Sequence, residues 1–287
     1  MAAGAASYYA HLTAQYRHYG GDAHGWHYGL WEPDVTTHTM ALRRSNERLL
    51  SGLDITPDTR ILDVGFGEGG FSVWAARTTG AQVTGITVCR EHVALAGALA
   101  AEHGVADRCR FLVMNMDALT FDANEFDIVV NQETACYSSR KPAYYAEVLR
   151  VLKPGGVWRS LDFSIQDAPL SPDWERSYRA VCDGFHIPSL TSPESTVELM
   201  QRAGFDVRYG RDITNEVLPT ARMIRRQCLL PLAMKTLHLD WIVYSSDDTR
   251  RRNRQGHIAA AYHYSRGLER GVFRYTECAG YKPEAAS

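Results

Sequence analysis

"RILDVGFGEGG", residues 60–70, decides the fold. Ile61, Leu62 and Val64 make an apolar run short enough for a buried strand, with Asp63 inside it. Glycines follow at 65, 67, 69 and 70. Glycine there lets the backbone turn sharply and close on a ligand. Gly65, Gly67 and Gly70 satisfy G-x-G-x-x-G, so the turn is expected to hold a nucleotide-like group.

Outward from this turn the pattern repeats. "AQVTGIT" (81–87), "CRFLVMN" (109–115), "FDIVVNQE" (126–133) and "VWRSLDFS" (157–164) read as strands. "GGFSVWAARTTG" (69–80), "REHVALAGALAAEHG" (90–104) and "KPAYYAEVLRVL" (141–152) read as helices, and "PGG" (154–156) as a turn. Strand and helix alternating with short links predict an α/β fold, a Rossmann-like doubly wound sheet that is mainly parallel. "FDVRYGRDIT" (205–214) and "VFRYTECAGY" (272–281) bring the strands to seven. The expected organisation has four parts. Residues 1–55 form an aromatic-rich helical lid with a helix from Thr36 to Leu53, and 56–164 the cofactor-binding core. Residues 165–200, broken by four prolines, form a helical insertion on the acceptor pocket. Residues 201–287 complete the core with further helices.

Composition narrows the function. The 287 residues are 45% hydrophobic, enough for a sizeable core, and carry a net charge of −2. That leaves no electrostatic drive toward nucleic acid. The basic run "TRRRNR" (249–254) reads as a solvated helix face. Six cysteines show no C-x-x-C pair and no zinc spacing, as in a reduced cytoplasmic protein. His11, His18, His24 and His27 lack ligand spacing, so no metal is expected. No charged start leads into an apolar core of a signal peptide, and no run of about 18 apolar residues would span a membrane. The expected partner is a small hydrophobic metabolite, with homo-oligomerisation left open.

A nicotinamide site would want an acidic residue ending the second strand, and Thr87 stands there. "LDVGFGEGG" (62–70) paired with "RVLKPGG" (150–156) instead resembles the class I S-adenosylmethionine-dependent methyltransferases, closely over residues 60–165. The resemblance implies that the backbone of Gly65–Gly67 packs on the amino-acid half of the cofactor. It implies that Thr87, Val88 and His92 line ribose and adenine, and that Asn115 and Met116 hold the adenine, with Asp117 as the alternative if the loop shifts by one residue. Asp63, Gly70 and Asn131 complete the expected cofactor set. The family's usual ribose acid is missing at Thr87. "VTGITVCREHV" (83–93) looks like the cyclopropane-synthase-like and small-molecule branches, which share this departure.

"VVNQETACYSS" (129–139) raises a separate question, since Glu133 is a carboxylate at the end of a buried strand. "NQETACY" (131–137) is similar to the "NNESTMY" segment of the geranyl diphosphate C-methyltransferases. "HYGLW" (27–31), Asn115-Met116 and "FHIPS" (185–189) are further likenesses. The resemblance implies a methylated olefin. Glu133 would then stabilise a carbocation and take its proton, with Tyr28 and His186 beside it. Tyr8, Tyr19, Tyr137 and Phe185 would line the acceptor pocket. An aromatic face stabilises a cation by roughly 0.5–2 kcal/mol. Arg176 and Arg179 are too few for a diphosphate. A prenyl group on a natural product fits better, as in members that methylate prenylated indole alkaloids of the teleocidin type. Other readings stay open. Glu133 could hold the cofactor ammonium or cap the next helix. The reaction could be O- or N-methylation, and the fold could serve as a cyclase or binding scaffold.

Overall fold

The computed structural model describes residues 21, 24–237 and 248–284. Chain order is α1 (His38–Leu50), β1 (Arg60–Val64), α2 (Gly70–Thr79), β2 (Gln82–Thr87), α3 (Arg90–Glu102), β3 (Cys109–Val113) and β4 (Phe126–Gln132). Then follow α4 (Lys141–Val151), β5 (Leu152–Ile165), α5 (Pro172–Phe185), α6 (Pro193–Ala203), β6 (Asp206–Asp212), α7 (Thr214–Thr236), α8 (Asp248–Glu269) and β7 (Phe273–Tyr281). One seven-stranded sheet results, in the order β3-β2-β1-β4-β5-β7-β6. The first five strands are parallel, and β7 runs antiparallel between β5 and β6.

Local chemistry sets the boundaries. Thr37 caps α1 by accepting from the Met40 N–H, so the helix starts at His38 rather than Thr36, and it stops at Leu50 rather than Leu53. Left-handed Gly69 and Gly80 bracket α2. The expected turn at "PGG" is instead an irregular start of β5. Leu152 already pairs with Phe126, and a register shift between Phe126 and Ile128 absorbs the glycines.

Apolar side chains fill both faces of the sheet. On one, Val64, Val129 and Trp158 meet Tyr144 and Val148 of α4 and Met200 of α6. On the other, Ile128, Val130 and Phe163 meet Val217 of α7 and Tyr264 of α8. The stretch 165–200 therefore divides. Helix α5 packs on α8, whereas α6 packs on α4 and β6 as part of the sheet layers. The α5–α8 crossing is tight because Gly184 faces Gly256. A Cβ on Gly184 would lie 2.2 Å from the Gly256 carbonyl oxygen. Among the described residues no helix is long and apolar enough to cross a membrane.

Strand order reverses between β1 and β4, and ligands of such sheets sit beyond the carboxyl ends at that point. Gly65 and Glu133 stand there.

Candidate active site

A cavity of about 740 Å³ opens at this switch point, roofed by residues 26–28 and by α7 and α8. Its sheet-side half is lined by Gly65, Gly67, Thr87, Val88 and His92, and by Asn115, Met116 and Asp117. Gly65 must be glycine. Its φ is +83°, and a Cβ would lie 2.3 Å from the Thr134 methyl. Gly67, with φ +58°, has nothing within 4 Å of where a Cβ would sit, so its backbone borders open space in the cavity. The Thr87 hydroxyl accepts from the Cys89 N–H at 3.2 Å. His92 is buried, and burial lowers its pKa to about 4, so the ring is neutral. Trp26 packs on it edge-on at 4.9 Å. The Asn115 side-chain oxygen accepts from the Asp117 N–H at 3.0 Å. The Asp117 carboxylate accepts from Ser138 Oγ at 2.5 Å and from the Ser139 N–H at 3.3 Å.

Three expected cofactor contacts stand back from the cavity. Asp63 is buried beneath the loop, accepts from Ser72 Oγ at 2.6 Å, and is pushed up to about 7 by burial. Gly70 is buried as the first residue of α2. Asn131 is a core residue. Its oxygen accepts from the Tyr144 hydroxyl and from Trp158 Nε1, and its Nδ2 donates to Thr134 Oγ1 at 2.7 Å. Thr134 in turn donates to the Val64 carbonyl at 2.5 Å. None of these three lines the cavity. Asn131 and Thr134 brace the glycine turn from behind. Tyr8 and Tyr19 lie outside the described residues.

Glu133 lines the cavity and is left-handed at φ +54°, a costly backbone for a non-glycine residue. This kink at the end of β4 carries the side chain off the sheet. Oε1 accepts from the Tyr28 N–H at 2.6 Å and from the Tyr275 hydroxyl at 2.8 Å. Burial pushes its pKa up to about 8. The two donors pull it down and nearby Asp162 pushes it up, without reversing the effect of burial. Asp162 is itself raised to about 6, chiefly by burial. The helix-cap reading of Glu133 is not what the geometry shows, because its carboxylate accepts from Tyr28 and Tyr275 instead.

The strap that donates to Glu133 is fixed on its far side. The Tyr28 carbonyl accepts from Ser45 Oγ of α1 at 3.0 Å, and the Tyr28 hydroxyl lies 2.9 Å from Ser265 Oγ of α8. Rings then close round the carboxylate. Tyr28 meets Phe163 at 5.8 Å and Tyr264 at 5.8 Å, and Phe163 stacks on Phe185 at 5.7 Å. Tyr137, His186 and Pro188 border the same half of the cavity, with His186 exposed. Lys141 Nζ ties these walls together. It donates to the carbonyls of Cys136 at 3.3 Å, Ser138 at 3.1 Å and Ser189 at 2.9 Å.

Sequence reasoning missed the roof. Ile224 and Cys228 of α7, with His257 and Ile258 of α8, line the acceptor half. It also missed Phe163 and Tyr275, whose apolar strands carried no mark of a site. A faint signal existed, since α8 places His257, Ala261 and Ser265 on one face at four-residue spacing.

Residues 61–156 match the family described as "Methyltransferase domain". A sterol 24-C-methyltransferase of Gibberella zeae is 29% identical over 213 residues, covering 71% of this chain and 56% of that protein. The chain spans about half the length of the curated relatives it matches first. The [4+2]-cyclase SpnF superposes with a TM-score of 0.80 at 24% identity, covering 98% of this chain and 96% of that one. Geranyl diphosphate C-methyltransferase from Streptomyces coelicolor A3(2) superposes with a TM-score of 0.71 at 19% identity, covering 94% and 92%. The chain therefore carries a methyltransferase domain, and its fold is that of the S-adenosylmethionine-dependent methyltransferases.

Proposed function

We propose that the protein is an S-adenosylmethionine-dependent C-methyltransferase acting on an olefin of a prenylated or terpenoid small molecule. The observation that carries this reading is Glu133, a buried carboxylate between the glycine loop and an aromatic-walled half-cavity. The sterol C-methyltransferase relatives point the same way.

The residues present fit the cofactor. Gly67 leaves its backbone open to the cavity, and Val88, His92 and Met116 form a largely uncharged rim for an adenine. When bound, the cofactor supplies an electrophilic methyl group. The chain's own side chains do the rest. Tyr28, Phe163 and Phe185 hold the acceptor's double bond in a pocket shielded from water. The electron pair of that bond would form the new carbon–carbon bond as the methyl–sulfur bond breaks and its pair leaves with sulfur as a neutral thioether, so that positive charge passes to the adjacent acceptor carbon. Ring faces and Glu133 stabilise that charge. A positive neighbour also draws Glu133 toward its ionised form, against the effect of burial. The carboxylate then takes a proton from the acceptor, restoring a double bond, unless a second double bond captures the cation and closes a ring.

The lining argues against a diphosphate. Among the described residues, Arg254 is the arginine that borders the cavity, and no lysine does. A prenyl chain on an uncharged scaffold suits these walls and gains about 0.8 kcal/mol per buried methylene. The same reading places the protein in the cytoplasm, in line with six free cysteines. The test uses cofactor labelled with deuterium in its methyl group and a panel of a geranylated indole, farnesol, a phenol and an amine. Mass spectrometry with NMR should find the label on carbon of a prenyl group. Label on oxygen or nitrogen alone would replace this reading with O- or N-methylation.

A further inference from the structure

Tyr275 is wholly buried on β7, yet it keeps a hydroxyl where phenylalanine would pack. That hydroxyl donates to Glu133 Oε1 at 2.8 Å, across 142 positions of sequence. The backbone that carries the phenol is pinned. The Tyr275 N–H donates to Thr214 Oγ1 at 3.0 Å, and its carbonyl accepts from the Ile213 N–H at 2.8 Å. Its ring lies 5.9 Å from Tyr28 and 6.2 Å from Phe163. The second donor to Glu133, the Tyr28 N–H, falls on the same oxygen at 2.6 Å. A carboxylate gripped by one oxygen from two elements cannot turn without losing both bonds. Its other oxygen, Oε2, is then the edge available to the cavity that Glu133 lines.

We propose that Tyr275 is a positioning residue for the reaction, holding Glu133 Oε1 so that Oε2 meets the charge that develops on the acceptor. This rests on the reading of Glu133 given above. It assigns a role to a residue of the antiparallel strand β7, outside the matched domain at 61–156. The groups that share this pocket of the core are Asp162 of β5, Tyr264 of α8, Cys136 in the turn after β4, and Tyr28 of the strap. Asp162 opposes ionisation of Glu133, whereas the two hydrogen-bond donors favour it.

The experiment removes one oxygen atom. Glutamate labelled with ¹³C at the carboxyl carbon reports the titration of Glu133 by NMR in the full chain, with Glu133→Gln assigning the resonance. A hydrogen bond to a charged acceptor corresponds to a midpoint change of roughly one to two pH units. In Tyr275→Phe the midpoint should therefore move upward by that amount, because the lost donor favoured the charged form. Turnover of a geranylated indole should fall near neutral pH and recover as pH rises, with S-adenosylhomocysteine affinity unchanged. Ser265→Ala serves as the second variant. It perturbs the same ring cluster through Tyr28 and should leave the midpoint in place. An unmoved midpoint in Tyr275→Phe overturns the assignment of Tyr275 alone. A moved midpoint together with full turnover in Glu133→Gln overturns the role of Glu133, and that of Tyr275 in the reaction with it.

Discussion

Glu133→Gln should make the ligand-free protein more stable at alkaline pH and leave it nearly unchanged at pH 5. The carboxyl is buried, and its pKa rises from an ordinary 4.5 to about 8, chiefly because burial penalises the charge. A group raised on folding stabilises fully below its unfolded pKa and loses that contribution as pH climbs through the folded value. Between pH 4.5 and 8 the wild-type protein thus loses up to about 1.4 kcal/mol per pH unit from this group. Glutamine resembles the protonated acid, keeps an oxygen for Tyr28 and Tyr275, and never charges. At pH 8.5 the gain of the variant should therefore reach roughly 3 kcal/mol, after discounting for relaxation and water penetration. For a chain of this size that is a melting-temperature difference of about 6 °C. Thermal melts of both proteins from pH 5 to 9 measure it. Asp63 titrates in both and cancels, whereas the repulsion between Asp162 and ionised Glu133 is part of the difference measured. Equal stabilities throughout would refute the buried, raised carboxyl and with it the physical basis for its role.

Three further outcomes can be checked directly. Gly67→Val should fold, at a cost of about 1–2 kcal/mol for its left-handed backbone, yet lose S-adenosylhomocysteine binding in calorimetry, because its side chain enters the open edge of the cavity. Gly184→Ala should destabilise by about 3 kcal/mol in urea titration, since its Cβ would meet backbone of α8 that cannot yield cheaply. Lys141→Met keeps the stem but leaves three carbonyls without their donor. It should cost roughly 1–3 kcal/mol and raise the acceptor KM more than the cofactor Kd, because the walls at 136–138 and 189 loosen together.

Much of this architecture was legible in one dimension. Hydrophobic runs and glycine stops locate β1 to β5 and the helices between them, because each forms from neighbours in sequence. The turn at Gly65–Gly70 was legible for the same reason, since its backbone demands glycine whatever surrounds it. Glu133 stood out because a carboxylate at the end of a buried strand needs a partner. The beginning of β5 was less readable. "PGG" has the chemistry of a turn, and only pairing with β4 draws Leu152 into the sheet.

Which side chains face the ligand was decided elsewhere. Asp63 and Asn131 sit in the same motifs as Gly65 and Glu133, but the pleat turns them into the core, where Ser72, Tyr144 and Trp158 bind them. Period and position in a strand do not say which face a cavity occupies until the helices have packed. Tyr275, Ser265 and His257 lie more than 120 residues from Glu133 in sequence, and no local pattern can couple groups at that separation. Burial has the same origin. Glutamate carries an ordinary pKa until Tyr28, Phe163, Tyr264 and Tyr275 remove the water around it. Chain chemistry determined where the carboxylate stands, and tertiary packing decided what kind of acid it is.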